Sequence, residues 1–510
     1  MKLIDKYLNM FTMYRITLYY LIALTVLAII IGFAGNLPYS GLDIAYSATL
    51  VVVVCLAANY IFAKLFKAVT NVESVFITAL ILVLIFPADI FRNGLLLVGV
   101  SLLAIGSKYL LTVEKRHIFN PAAVGVYMIT TLSPEHVATW WIGSQYMLPL
   151  VLVGSFLLVR KVRRERMVIT FLMVFFVLSA YGSFIHNGTI STILTTWQRS
   201  IFSSAVVFFA SIMLTEPLTS PPTKKLQTLY GVLVAMLYTT PLVRLWGLVF
   251  TPEVALLIGN VFSYVVSPKY RLMLKLLKKI RVSPDTYLFD FGKIDKFTFT
   301  PGQYLEWTLP HPEADGRGNR RYFSIASAPH ENLMMAVKFY QPSSSFKKAL
   351  LGLPETGEVI AAGLSGDFVL PKKDVPLVFI AGGVGIAPFR SILEDIVLHK
   401  RKVDIIVIFA NKRSDDIIFS DTLKKAEVFG VRTVYVLTDK QSLPPDWKGY
   451  SGHITEEVIR KEIGDYQKRL FMISGPQLMV QNFEKILIAC GVPRRHIQTD
   501  FFPGYSETTA

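Results

Sequence analysis

The chain has 510 residues, 53% of them hydrophobic and only 17% charged, with a mean hydropathy of +0.48, where soluble domains carry about 25% charged residues. That balance excludes a wholly soluble protein. The net charge of +16 sits largely in short Lys/Arg clusters beside apolar runs, which points to a membrane surface and away from nucleic acid. Two distant cysteines, Cys55 and Cys490, exclude a four-cysteine zinc or iron–sulfur site within one chain.

In chain order, ten apolar segments come first: 14–35, 44–66, 74–91, 94–112, 119–134, 140–159, 167–186, 198–216, 227–245 and 247–267. Each approaches the roughly 20 helical residues that cross a bilayer core of about 30 Å. The first lacks a small-residue cleavage site and leads into further spans, so it is expected to stay as a span. With the N-terminus inside, inner segments hold 21 Lys/Arg and outer segments hold 3: Arg92, Arg199 and Arg244. This asymmetry predicts a multi-pass protein of the cell (inner or plasma) membrane with both termini cytoplasmic.

The segments repeat. Ile118-Phe119-Asn120-Pro121 opens the fifth, and Val249-Phe250-Thr251-Pro252 opens the tenth, 131 positions later. Phe86-Pro87-Ala88-Asp89 ends the third, and Thr215-Glu216-Pro217 ends the eighth, 130 later; Gly99 and Gly231 lie 132 apart. Five spans is an odd number, so the second copy is inverted, and such repeats bind small molecules at their interface. The alternative is that the prolines only tune packing. Asp89, Glu216 and Glu253 fall at span edges, where capping competes with a part in Na+ or H+ movement.

Residues 269–280 form a basic juxtamembrane linker. Here KYRLMLKLLKKIR reads as a helix lying on anionic headgroups. Residues 281–372 alternate with period two between turn signals and predict a small antiparallel barrel. In residues 373–510, strands PLVFIAGG, VDIIVIFAN, RTVYVLTD and RLFMISGP alternate with helical stretches, the pattern of a parallel α/β domain. Gly382-Gly383-Val384-Gly385-Ile386-Ala387-Pro388 follows the first strand and opens a helix, where glycines let backbone N–H groups approach a pyrophosphate.

In order, PGQY (301–304), RYFS (321–324), GDF (366–368), GGVGIAP (382–388) and SGP (474–476) make the last 230 or so residues resemble the ferredoxin–NADP reductase superfamily. The resemblance implies FAD on the barrel and NADH or NADPH on the α/β domain. It places Arg321 on the flavin pyrophosphate, Phe323 against the isoalloxazine and Ser324 near flavin N5, with Gly383 and Gly385 under the NAD(P)H pyrophosphate. Further cofactor-binding candidates are Tyr304, Tyr322, Lys338, Tyr340, Ser344, Ser345, Gly382, Pro388, Gly475 and Pro476. Ser474 stands where many members have Cys near the nicotinamide. Asp500 and Phe502, in TDFFPGY, stand where some members place an acid and an aromatic near the flavin. Ser324, Ser474 and Asp500 are the catalytic candidates. Asn411-Lys412-Arg413 leaves NADH against NADPH open.

FNPAAVGVY (119–127) and MLTEPLTSPPT (213–223) resemble the NqrB/RnfD family of ten-span subunits. That resemblance implies a flavin or quinone in the membrane region, with FMN or riboflavin as a second flavin. Some members join FMN to a Thr; Ser47-Ala48-Thr49 lies in the wrong repeat for this, so non-covalent binding near Asn120 is favoured. Haem is disfavoured because His117, His136 and His186 lie near span ends without helical pairing.

The expectation is therefore a membrane flavoprotein that passes electrons from cytoplasmic NAD(P)H through FAD to a membrane flavin, quinone or electron-acceptor protein, its oligomeric state open. The alternative is a transporter with an NAD(P)H/flavin-sensing domain.

Overall fold

The computed structural model describes residues 4, 7–8, 10–66, 71–113, 116–134, 137–186, 188–243, 250–268, 270–312, 314–315 and 318–500. The chain divides into two compact units, Met1–Ser267 and Pro268–Ala510.

The first unit is helical: α1 Met13–Phe33, α2 Gly41–Leu65, α3 Val72–Ile85, α4 Ile90–Leu110, α5 Pro121–Leu132, α6 Leu148–Val162, α7 Glu165–Ile185, α8 Ile190–Phe202, α9 Lys224–Tyr238 and α10 Pro252–Val266. Side-chain oxygens open many of them. Ser40 and Asp43 form a capping box on α2, and Asp89 accepts from the N–H groups of Phe91 and Arg92 at the start of α4. Asp89 is thus a cap. Pro121 and Pro252 occupy first-turn positions of α5 and α10, where a missing N–H costs nothing. α3 is apolar all round and lies at the centre, packed by α1, α2, α4 and α5.

Among the described residues, four helices are long and apolar enough to cross a membrane: α1, α2, α4 and α7. α3, α5 and α10 are apolar but shorter. The expected eighth span, 198–216, is not one helix. α8 ends at Phe202, and the chain resumes as a short helical turn, Val206–Phe208, and a π-helical turn, Phe209–Met213. The reason is chemical: α8 is Ser/Thr-rich, starts on a Thr189–Thr192 capping box and runs into Ser203-Ser204. Gly99 and Gly231, aligned by the repeat, have different surroundings. A Cβ on Gly99 would meet Ile129 of α5, and one on Gly231 would meet Met167 O of α7.

The second unit opens with two antiparallel sheets. Their strands are β1 Arg271–Lys275, β2 Lys278–Ser283, β3 Thr286–Asp290, β4 Tyr304–Thr308, β5 Arg320–Ser324, β6 Met334–Lys338 and β7 Glu358–Ser365. The sheet orders are β1-β7-β4-β5 and β2-β3-β6, closed over a core that includes Leu305, Trp307 and Phe289. The expected amphipathic helix at 269–280 is corrected here: the stretch supplies β1 and β2. Leu274 and Leu276 point inward while Met273, Lys275 and Leu277 point outward, a period of two that pairs β1 with β7. α11 Ser345–Leu351 follows β6.

The remainder is a six-stranded parallel sheet, β8 Leu377–Gly382, β9 Ile405–Asn411, β10 Val431–Leu437, β11 Tyr450–Ser451, β12 Leu470–Ser474 and β13 Ile497–Asp500, in the order β11-β10-β9-β8-β12-β13. Helices α12 Ala387–Leu398, α13 Ser420–Glu427, α14 Glu456–Glu462 and α15 Gln477–Ala489 accompany it. Apolar clusters form on both faces of the sheet, as buried parallel strands require. Barrel and sheet are joined by Arg390 of α12. It forms a fork on Glu331, at 3.0 and 2.8 Å, and also donates to Ala326 O. Ser391 adds a 2.6 Å bond to Ser327 O.

Candidate functional site

From β8 the chain winds outward through β9, β10 and β11, then returns to β12 on the other side of β8. Ligands of such sheets bind at the carboxyl ends of the strands where the order reverses, here between β8 and β12. The glycine turn lies at that point. Gly383 has φ +52, and no atom lies within 4 Å of where a Cβ would sit, so its backbone is open on that side. Gly385 has a different task. A Cβ there would lie 2.4 Å from Ser474 O and 2.7 Å from Gly475 Cα, so the missing side chain lets the turn press on the end of β12. Gly382, Gly383 and Gly385 are thereby brought beside Ser474, Gly475 and Pro476. Pro388 is buried in the first turn of α12 and fixes the helix start.

The three catalytic candidates also meet. Ser474 and Asp500 are register partners across β12 and β13. Ser324, at the end of β5, donates to Asp500 Oδ2 at 3.2 Å. All three are buried, so a hydroxyl–carboxylate pair joins the barrel to the sheet at the switch point.

On β4 and β5, Tyr304 faces Ser324 and Glu306 faces Tyr322. The Tyr304 and Tyr322 rings meet edge to face at 5.7 Å, and the Tyr322 hydroxyl donates to Glu306. Tyr322 is 41% exposed and Phe323 only 4%. Phe323 belongs to the barrel core with Leu305 and Phe346. The aromatic surface offered outward is therefore the tyrosine pair. Strand alternation turns Phe323 inward, where it packs with Leu305 and Phe346.

Arg321 donates to the carbonyls of Gly318 and Arg320, lies 3.3 Å from Asp315 and stacks over Phe346. Asp315 also accepts from Ser345 N, while Ser345 Oγ accepts from Asp315 N. Ser344 caps α11. Lys338 bridges Asp285 and the buried Asp416, at 3.4 and 3.1 Å, with Tyr340 beside its ammonium. Phe502 lies outside the described residues.

Sequence reasoning left Asn411 off the list of site residues. It ends β9 beside the glycine turn, is 4% exposed, and neither its Oδ1 nor its Nδ2 has a hydrogen-bond partner among the described residues. Its signal was its place as the last residue of an apolar strand. A buried amide without partners among the described residues, beside the glycine turn, leaves a hydrogen-bonding demand that a polar ligand at the strand ends would meet on local rearrangement. The residues present thus suit a dinucleotide. Cys490 does not join them, since burial holds its thiol above the usual range.

In the membrane unit, Asn120 is 4% exposed and engaged throughout. Its Oδ1 accepts from Ala123 N, its Nδ2 donates to Glu216 at 2.9 Å, and its backbone N–H donates to Asn260 Oδ1. His117 lies 3.3 Å from Glu216, and Thr219 donates to the same carboxylate. Asn260, on α10, also donates to Thr219 O and the Tyr230 hydroxyl. The two proline-opened helices thus meet through this node. Glu253, 3% exposed, accepts from Trp140 at 2.7 Å. Thr49 is exposed and donates into its own helix, to Ala45 O.

Residues 379–485 match the oxidoreductase NAD-binding domain family, and residues 141–269 match the NQR2, RnfD, RnfE family. Ferredoxin–NADP reductase B of Sorangium cellulosum is 27% identical over 230 residues, which is 43% of this chain and 92% of that protein. A flavohemoprotein of Oceanobacillus iheyensis is 32% identical over 247 residues, 45% of this chain and 58% of that one. The cytochrome b5 reductase domain of Ulva prolifera nitrate reductase overlays 46% of this chain and 98% of its own length, at 20% identity and a TM-score of 0.41. This chain is accordingly similar over residues 141–269 to the NQR2, RnfD, RnfE membrane family and over its last part to NAD-binding oxidoreductases with ferredoxin–NADP reductase-like relatives.

Proposed function

We propose that this membrane flavoprotein is an NAD(P)H dehydrogenase. It takes a hydride from cytoplasmic NAD(P)H at the β8–β12 switch point and delivers electrons to a quinone or second flavin in its membrane unit. The observation that carries the reading is the meeting of Ser324, Ser474 and Asp500 beside the open Gly383 backbone, in a chain whose residues 141–269 match the NQR2, RnfD, RnfE family. FAD, when bound, supplies the hydride-accepting ring and the route from two-electron to one-electron chemistry. The chain's own groups bind and position. Tyr304 and Tyr322 offer the aromatic surface, and the Arg321 guanidinium would exchange its bonds to Gly318, Arg320 and Asp315 for phosphate. The Ser324–Asp500 bond holds a proton at Ser324 Oγ on the crevice floor. Gly383 and Asn411 receive the nucleotide. Asn120, its amide engaged by Glu216 and Ala123, is assigned to positioning α5 against α10 and not to ligand contact.

Purified full-length protein should contain FAD and, on addition of NAD(P)H, reduce a membrane quinone analogue faster than free FAD-reductase activity alone accounts for. Arg321→Ala should weaken FAD by about 30-fold, the loss of a charged hydrogen bond worth about 2 kcal/mol. Full flavin occupancy at unchanged affinity in that variant defeats the flavin assignment. Rapid flavin reduction with no onward transfer to any quinone or second flavin would favour the transporter reading.

A further inference from the structure

The corner between the two barrel sheets carries a surface that the electron path does not use. β1 is the edge of the four-stranded sheet and β2 the edge of the three-stranded sheet, and they are consecutive in the chain. Along them, Met273, Leu277 and Ile280 are 64%, 49% and 43% exposed. Lys275 and Lys278, between these, are exposed too. From Tyr270 to Pro284 the chain has five Lys/Arg and no Asp or Glu. Lys279 differs from its neighbours: it donates to the carbonyls of Leu351 and Leu353 and ties the corner to the end of α11. β1 begins at Arg271, five positions beyond the end of α10 at Val266.

Edge strands use lysines to prevent strand addition. That explains Lys275 and Lys278, but it leaves three exposed apolar side chains interleaved with them. Alternating cations and apolar groups, five Lys/Arg in the stretch against Glu358 and Asp290 opposite Lys275 and Lys278, close in the chain to a membrane helix, have one matching surface. It is the anionic headgroup layer, where ammonium groups meet phosphate and apolar tips enter the acyl boundary.

We propose that the β1–β2 corner is a membrane-docking surface for anionic lipid, built from Met273, Lys275, Leu277, Lys278 and Ile280. It orients the reductase unit on the bilayer. The inference rests on the membrane reading of the first unit and is independent of which acceptor takes the electrons.

The test uses full-length protein in nanodiscs. Cys55 and Cys490 are buried, so an environment-sensitive label can be placed selectively on Met273→Cys, with Val428→Cys, 70% exposed at that site, as control. The lipids carry a headgroup quencher and either include or lack phosphatidylglycerol. Quenching is expected at position 273 and not at 428, stronger with the anionic lipid and relieved by salt. Lys275→Gln with Lys278→Gln should lower the docked-to-undocked ratio by more than about tenfold while FAD content is unchanged. Should the double variant fail to fold, the salt and lipid titrations on Met273→Cys alone decide the matter. Equal quenching at 273 and 428 in every lipid overturns the proposal. So does protection of 273 that tracks protein density instead of lipid charge, which would assign the corner to a second copy of this chain.

Discussion

In the membrane unit, the Glu216 carboxylate takes hydrogen bonds from Asn120 and Thr219, and Asn120 is held in turn by Asn260. In the reductase unit, Asn411 is as buried as Asn120, yet neither atom of its amide has a partner among the described residues. The same side chain, at the same 4% exposure, is satisfied in one place and unsatisfied in the other. A closed buried polar node holds helices together, because each member satisfies another. An open one has paid desolvation without return, and a ligand is the natural remedy. The contrast, with the place of Asn411 beside the glycine turn, makes Asn411 a candidate site residue and Asn120 a part of the scaffold.

Three substitutions bear on that contrast. The largest effect is expected from Gly385→Val. The added carbon would fall on Ser474 O, so the turn and β12 must separate, at a cost of about 3 kcal/mol or more. Thermal unfolding of the reductase unit should fall sharply, and NAD(P)H oxidation with it. A folded unit with only a raised KM would mean that Gly385 faces the nucleotide after all. Next is Asn120→Leu, which removes both a helix cap and a donor to a buried carboxylate, together about 2–4 kcal/mol. The membrane unit should melt earlier in detergent while FAD reduction by NAD(P)H is untouched. Unchanged melting with slowed quinone reduction would move Asn120 from scaffold to site.

The smallest effect, and the most telling, is that of Asn411→Leu. Removing an unpartnered amide should raise the melting temperature of the ligand-free protein. It should also raise the KM for NAD(P)H by about tenfold, or about 1.4 kcal/mol. Opposite signs in the two measurements are the signature of a ligand-directed group. A variant that is less stable and binds the nucleotide normally would place Asn411 with the scaffold.

Much of this was legible in the sequence. Strands such as Leu377–Gly382 are apolar throughout because both faces of a parallel sheet are covered, and the glycine turn follows at once. The meeting of Ser324, Ser474 and Asp500 was legible only through family resemblance, since residues 176 positions apart have no local pattern. The β1–β2 corner was misread because Leu272, Leu274, Leu276 and Leu277 fit two periods at once, and a basic leucine-rich run without a turn signal favours the helical one. The packing of Phe323 into the barrel core was not legible, because a motif fixes residue order but not which face of a strand each residue takes. The partners of Asn120 were not legible, because Glu216 and Asn260 lie in the other half of the membrane unit.

Arg390 carries a consequence for how such a reductase can change over time. Its guanidinium in the sheet half reaches a carboxylate and a carbonyl supplied by the barrel half. A substitution on either side strands the other partner's part-buried charge, so Glu331 and Arg390 form a matched pair. Grafting a foreign nucleotide half onto this barrel would need its own arginine at the first helix, or the graft would inherit a lock without its key.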